Sequence, residues 1–313
     1  GKLVIMLDKH NKNNDRTNTM INWYPGHMAK SKRHMEADLK LVDILIEVLD
    51  ARAPKSSRNP ELLLLTGQKK PHVLILNKAD LADAAATTRW LAYYRSQGYE
   101  AVAVNAAHKR GIKEILAAAA RAAEPLMQKL EAKGRLRRPV RAMVVGVPNS
   151  GKSTVINAIS PVAAAKTGNK PGVTKGRQWI KTTAGIELLD TPGVLWPKLS
   201  NYDTAFKLAV IGSISDLVYP VYEVAEALAE ILLEQNPQAL KSRYKLEQLP
   251  PTGQELIQDI GKKRGLLVAG GLVREEDAAL MLLREFRAGL LGRYTLDDIR
   301  GVDNDKKGSS KNS

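Results

Sequence analysis

Apolar and polar residues follow two different rhythms along the chain. Five short runs, residues 42–49, 72–76, 101–104, 142–145 and 186–189, are apolar, rich in β-branched side chains and bounded by turn signals. Such runs mark strands buried on both faces of a sheet. A sixth, residues 178–182, is shorter and polar enough for an edge. Helical stretches at 87–97, 112–132 and 152–159 separate the runs. That alternation predicts an α/β fold with a doubly wound, mostly parallel sheet.

Beyond Trp196-Pro197 the strand signals fade and helical spacing takes over. Val224, Leu228, Ile231 and Leu232 recur at helical spacing within 221–233, and Leu280, Leu283, Phe286, Leu290 and Leu291 repeat the pattern. A smaller all-α domain is therefore expected after the sheet. The expected boundaries are 20–199 for the α/β domain and 200–300 for the helical one. Residues 1–19 are polar and irregular and read as a disordered leader or tag, and 301–313 read as a disordered tail.

Composition narrows the function. With 313 residues, 44% hydrophobic and 26% charged, the chain can bury a sizeable core, which excludes a mainly disordered protein. The absence of cysteine removes disulfides, thiolate metal sites and cysteine nucleophiles together. No apolar run approaches the roughly 20 residues that span a bilayer, and there is no signal-peptide pattern. The excess of 48 Lys and Arg over 33 Asp and Glu, a net charge of +15, therefore points to nucleic acid as the polyanionic partner. Basic clusters lie at Lys30, Lys32 and Arg33, at 129–141, at Lys262, Lys263 and Arg264, and at Arg284, Arg287 and Arg293. Spread over both domains, they suggest a broad phosphate footprint. Aromatic residues make up only 5%, so folded RNA read by shape and backbone fits better than bases stacked on a platform.

The chemistry lies in the loops that follow the strands. Gly146-Val147-Pro148-Asn149-Ser150-Gly151-Lys152-Ser153 follows the run 142–145 and opens a helix, the context in which such a loop wraps phosphates with backbone amides. Asn149, Ser150, Gly151, Lys152, Ser153 and Thr154 are the expected phosphate-side contacts. Lys152 would reach the β and γ phosphates, and Ser153 would ligate Mg²⁺. Asp190-Thr191-Pro192-Gly193 follows the run 186–189. Asp190 is thus expected beside the metal, acting through water, and Gly193 would offer its amide to the γ-phosphate. Thr174 lies in a loop between these motifs, where its hydroxyl would complete the Mg²⁺ shell and sense the γ-phosphate.

Base choice falls to Asn77-Lys78-Ala79-Asp80 at the end of the run 72–76. A carboxylate at Asp80 accepts from both N1–H and the exocyclic amine of guanine, a donor pair that adenine lacks. Asn77 and the stem of Lys78 would shape the rest of the pocket, and Asn105 with Ala106 would bring a backbone amide to the guanine oxygen. The expected ligands are therefore GTP and GDP with Mg²⁺. In conventional small GTPases the phosphate loop comes first; here Asn77 precedes Gly146, so the sheet is read as circularly permuted. The loop after Gly193 would then run directly into the helical domain and link γ-phosphate contacts to a second binding surface.

With Trp23-Tyr24-Pro25-Gly26-His27-Met28-Ala29-Lys30, Asp50-Ala51-Arg52-Ala53-Pro54, Ser57-Arg58-Asn59-Pro60 and the permuted motif order, the chain resembles the circularly permuted GTPases of ribosome assembly, the YlqF-like ribosome biogenesis GTPase A group. The resemblance covers roughly residues 21–300. It implies a cytoplasmic, monomeric GTPase that binds a late precursor of the bacterial large ribosomal subunit, touching 23S rRNA and nearby ribosomal proteins. It also implies stimulation by that particle, release after hydrolysis, and a helical domain that contacts the RNA.

Val194 stands where a conventional site has a water-orienting glutamine, and the resemblance makes His27 the candidate catalytic group in its place, beside Lys152 and Thr174. Ribosomal RNA or a cation is the alternative source of that stabilisation. Asn149 resembles the asparagine of K⁺-assisted GTPases, which makes K⁺ a candidate cofactor. Arg52 could order the neighbouring loops or form a structural salt bridge. Two other functional readings stand beside the assembly factor. One is an RNA-binding placeholder for which GTP is a regulatory ligand and hydrolysis incidental; the other, a P-loop ATPase or metabolite kinase, conflicts with Asp80.

Overall fold

Residues 44–50 are buried without exception, and a segment that buries both alternating faces must be covered on both sides. In the computed structural model it forms β1 (Ile44–Asp50). The structure describes residues 28–59, 61–66, 70–160, 178–182, 184–190, 193–194 and 201–299; the leader and tail expected at 1–19 and 301–313 lie outside them. The described residues fall into two compact units, one within Tyr24–Lys198 and the other within Leu199–Ser313.

In the first unit, chain order runs α1 (Met28–Leu39), β1, α2 (Glu61–Thr66), β2 (His72–Asn77), α3 (Ala84–Ser96), β3 (Glu100–Ala103), α4 (Ile112–Glu131), β4 (Val140–Gly146), α5 (Lys152–Ile159), β5 (Trp179–Lys181), β6 (Ile186–Leu189) and β7 (Gly193–Val194). The sheet order is β3-β2-β1-β4-β6-β5, with β7 also on β4. Among the described strands only β5 runs antiparallel, on β6. Successive strands fill one side of β1 and then the other, so the direction of winding reverses between β1 and β4. A crevice at the carboxyl ends of those two strands is where open α/β sheets bind ligands.

Alternate residues of β1 face different helices. Ile44, Ile46 and Val48 pack in a cluster with Ile115, Ala119 and Met127 of α4 and Val155, Ile156 and Ile159 of α5. Leu45 packs on the opposite face with Met35 and Leu39 of α1, Leu62 of α2, and Met143 and Val145 of β4. The expected α3 begins earlier than residue 87 because the Asp83 carboxylate caps it, accepting from Ala86 N at 2.6 Å.

The second unit is helical: α6 (Tyr202–Val210), α7 (Val221–Gln235), α8 (Pro237–Tyr244), α9 (Gly253–Lys263) and α10 (Glu275–Arg287). Helix α7 buries Val224, Ala225, Ala227, Leu228, Ala229, Ile231 and Leu232, too wide a stripe for one neighbour, and packs against each of α6, α8, α9 and α10. The helical periodicity through Leu290 and Leu291 overshoots. Helix α10 stops at Arg287, where Gly289 N donates to Phe286 O and Leu290 N to Glu285 O, the paired bonds that terminate a helix. Leu291 is buried beyond that turn, whereas Leu290 is 49% exposed.

Candidate nucleotide site

The loops at the carboxyl ends of β1, β2 and β4 meet through side chains. Asn77, the last residue of β2, is 4% exposed. Its Nδ2 donates to Ser150 O at 2.9 Å, and its Oδ1 accepts from Ala106 N at 3.1 Å. One amide thus joins three of the expected motifs. Gly151 has φ +98°, and a Cβ there would collide with Asn77 Nδ2, so this position demands glycine.

Lys78 follows in the left-handed region at φ 58°, a conformation that costs a side-chain-bearing residue about 1 kcal/mol or more. Its Nζ is held on two sides, donating to Asn149 O at 2.6 Å and to Asp50 Oδ2 at 3.1 Å. Asp50, the last residue of β1, is 1% exposed and Arg52 2%. Arg52 donates through Nε and Nη2 to the two carboxylate oxygens at 2.9 and 2.8 Å. Burial alone would raise the Asp50 carboxyl; the Arg52 guanidinium and the Lys78 ammonium overcome it and hold the group at about 2. Of the two readings of Arg52, the salt bridge to Asp50 is present.

Helix α5 starts at Lys152 with Gly151 as its N-cap and no side chain capping it, so its first amides face outward for an anion. Lys152 is 7% exposed, its Nζ donating to Val147 O at 2.8 Å. Burial, with help from nearby Lys78, pulls its ammonium down to about 8, and a bound anion would reverse that pull. Ser150 is fully buried, with no hydrogen bond to its Oγ. Ser153 and Thr154 are exposed on the first turn of α5.

Asp190 is exposed where β6 ends, its N bonded to Gln178 O at 3.0 Å. β6 pairs with the first half of β4 and β7 with the second, so Asp190 follows a strand that lies against β4, the strand that leads into the phosphate loop. Gly193 is buried there. A Cβ would come within 2.9 Å of both Met143 Cε and Val145 Cγ1. Asp80 is half-buried in a turn after Lys78, and Asn105 caps the turn beginning at Ala106 by accepting from His108 N at 3.1 Å. His27 and Thr174 lie outside the described residues.

The described donor set suits a magnesium nucleotide. It has a buried ammonium, an uncapped helix start and the Ser153 hydroxyl around one loop, with the exposed Asp190 carboxylate at the end of β6. Magnesium, when bound, would neutralise phosphate charge.

The basic clusters are less uniform than their spacing suggests. Arg287 is tied to Val210 O at 3.0 Å, Ala209 O at 2.8 Å and the Asp216 carboxylate at 3.0 and 2.8 Å. It is a structural tie rather than part of a phosphate face. Arg138 pairs with Asp43 at 2.7 Å, Arg264 with Glu285 at 3.3 Å, and Arg137 with Glu124. Lys129, Lys133, Arg135, Lys262, Lys263, Arg284 and Arg293 are exposed.

Residues 141–247 match the family described as 50S ribosome-binding GTPase. Ribosome biogenesis GTPase A of Priestia megaterium is 43% identical over 282 residues, covering 89% of this chain and 96% of that protein. Its counterpart in Bacillus cereus is 43% identical over 278 residues, covering 89% and 94%. The structure also resembles GNP-bound YlqF from T. maritima, with a TM-score of 0.60 and 28% identity over 86% of this chain and 97% of that one.

Proposed function

The chain belongs to the ribosome biogenesis GTPase A family, and from that premise we propose that its GTP-bound form docks on a late precursor of the large ribosomal subunit and leaves after hydrolysis. It is a GTPase of ribosome assembly. The observation that carries the reading is the Asn77 amide, which bonds both the phosphate loop and the turn at Ala106. Motifs in permuted order form one guanine-nucleotide site.

In this proposal Asp80 selects guanine, with Asn77, the stem of Lys78, Asn105 and Ala106 completing the base pocket. Asn149, Ser150, Gly151, Lys152, Ser153 and Thr154 hold the phosphates, and Lys152 stabilises charge that moves onto the leaving oxygens. Ser153, Thr174 and Asp190 hold Mg²⁺, and Gly193 reports the γ-phosphate. His27 orients the attacking water, and Asn149 would hold K⁺, which would supply further positive charge at the phosphates. The exposed lysines and arginines of both units meet 23S rRNA and adjacent ribosomal proteins, with binding that weakens steeply with salt.

Sedimentation with isolated subunits in GDP, GTP and a non-hydrolysable analogue, across a salt series, tests this. Comigration with large subunits in the analogue and release in GDP are expected. Comigration indifferent to nucleotide would favour an RNA-binding placeholder instead.

A further inference from the structure

The geometry points to Asp50 as a positioning residue for guanine-nucleotide binding: its buried carboxylate anchors Lys78 so that the base pocket and the phosphate loop are assembled before the ligand arrives. The inference rests on the nucleotide reading above and gives a role to Asp50, which that reading leaves without one.

All of the Asp50 acceptor capacity is committed. Oδ1 accepts from Arg52 N at 3.0 Å and Arg52 Nε at 2.9 Å, and Oδ2 from Arg52 Nη2 at 2.8 Å and Lys78 Nζ at 3.1 Å. The backbone is fixed as well, since Asp50 N donates to Ser57 Oγ at 3.0 Å, and that hydroxyl donates to Ala53 O at 2.6 Å. A carboxylate held by a buried guanidinium cannot swing away, so it presents one oxygen to Lys78 in a fixed place.

Lys78 carries the effect. Its Nζ spans from Asp50 to Asn149 O, and its left-handed backbone is a strained geometry that surrounding contacts must maintain. A free lysine side chain has rotamer entropy to lose on binding. Here the two anchors remove that freedom in advance, which is how pre-organisation raises affinity. Because Lys78 grips the backbone of the phosphate loop, the same contact sets the approach of the base pocket to Asn149.

A double-mutant cycle on the full chain, read by titration with N-methylanthraniloyl-GDP, tests the role. Asp50→Asn and Lys78→Met, which keeps the stem and loses the ammonium, should each weaken binding by about tenfold or more. The double variant should bind within about twofold of Lys78→Met, because Asp50 acts through that ammonium. In steady-state hydrolysis the Asp50→Asn loss should fall on KM more than on kcat. Losses that multiply, or wild-type affinity in Asp50→Asn, would overturn the proposal. If circular dichroism shows Asp50→Asn unfolded, Asp50→Asn with Arg52→Gln leaves no unpaired guanidinium and enters the same cycle with the same expectation. A wild-type chain that fails to bind the probe refutes the nucleotide reading; a binding wild type with multiplying losses refutes only the Asp50 role.

Discussion

Asn77 and Ser150 are 73 residues apart in the chain, yet the Asn77 amide donates to the Ser150 carbonyl at 2.9 Å. That bond fastens the end of β2 to the loop after β4, across the intervening β1. The order of motifs along the chain therefore matters little to the site, since parallel strands deliver their following loops to one edge whatever the order of connection.

Replacing Asn77 with Ala removes this bond and the one to Ala106 N and leaves buried backbone groups without partners. At about 1–3 kcal/mol for each unsatisfied group, we predict GDP binding weakened by about 10- to 100-fold, measured by fluorescent-nucleotide titration.

Asp80→Asn replaces an acceptor-only carboxylate with an amide that can donate. A site built to accept from two guanine donors then loses GTP by about 100-fold or more. Xanthosine triphosphate, with a carbonyl in place of the amine, should gain. Competition between the two nucleotides checks the exchange.

His72 is 6% exposed, and neither ring nitrogen has a partner. Burial, and then the Arg58 guanidinium, hold it down at about 4. The unfolded chain takes up the proton near pH 6.5 and the folded chain only near 4, so stability should fall as pH drops through this window and level off below it. The loss is at most about 3 kcal/mol. Urea midpoints between pH 7 and 4 should show it, and His72→Phe should flatten that part of the profile.

Arg287→Ala should destabilise the helical unit by about 2–4 kcal/mol, since it removes the guanidinium that joins the Asp216 carboxylate to the Ala209 and Val210 carbonyls in a partly buried site. A lower melting temperature with unchanged nucleotide affinity is expected.

The strands were legible because both sheet faces are covered, which leaves nearly unbroken apolar runs such as His72–Asn77. Helix α1 was not, because its sequence MAKSKRHMEADL is largely polar and the buried residues Met35 and Leu39 are too few to set a period. Helix α9 carries a clear one in Leu256, Ile257 and Ile260, so its place among the helices was legible. The nucleotide motifs were visible as words with fixed neighbours. The Asp50–Arg52–Lys78 network was not, since a charge after a strand looks the same whether it is solvated or paired until the fold brings Lys78 across to it. Charge misled most at Arg287, which looks like a phosphate contact in sequence and is tied by the fold to Asp216.

The most direct test of the central claim is the GTP hydrolysis rate of the full chain measured alone, with isolated small subunits and with isolated large subunits at one salt concentration. Large subunits should raise kcat by about 100-fold or more, the scale of one added transition-state contact, while small subunits leave it unchanged. Equal rates in all three would contradict an assembly factor whose release is driven by hydrolysis on the large subunit.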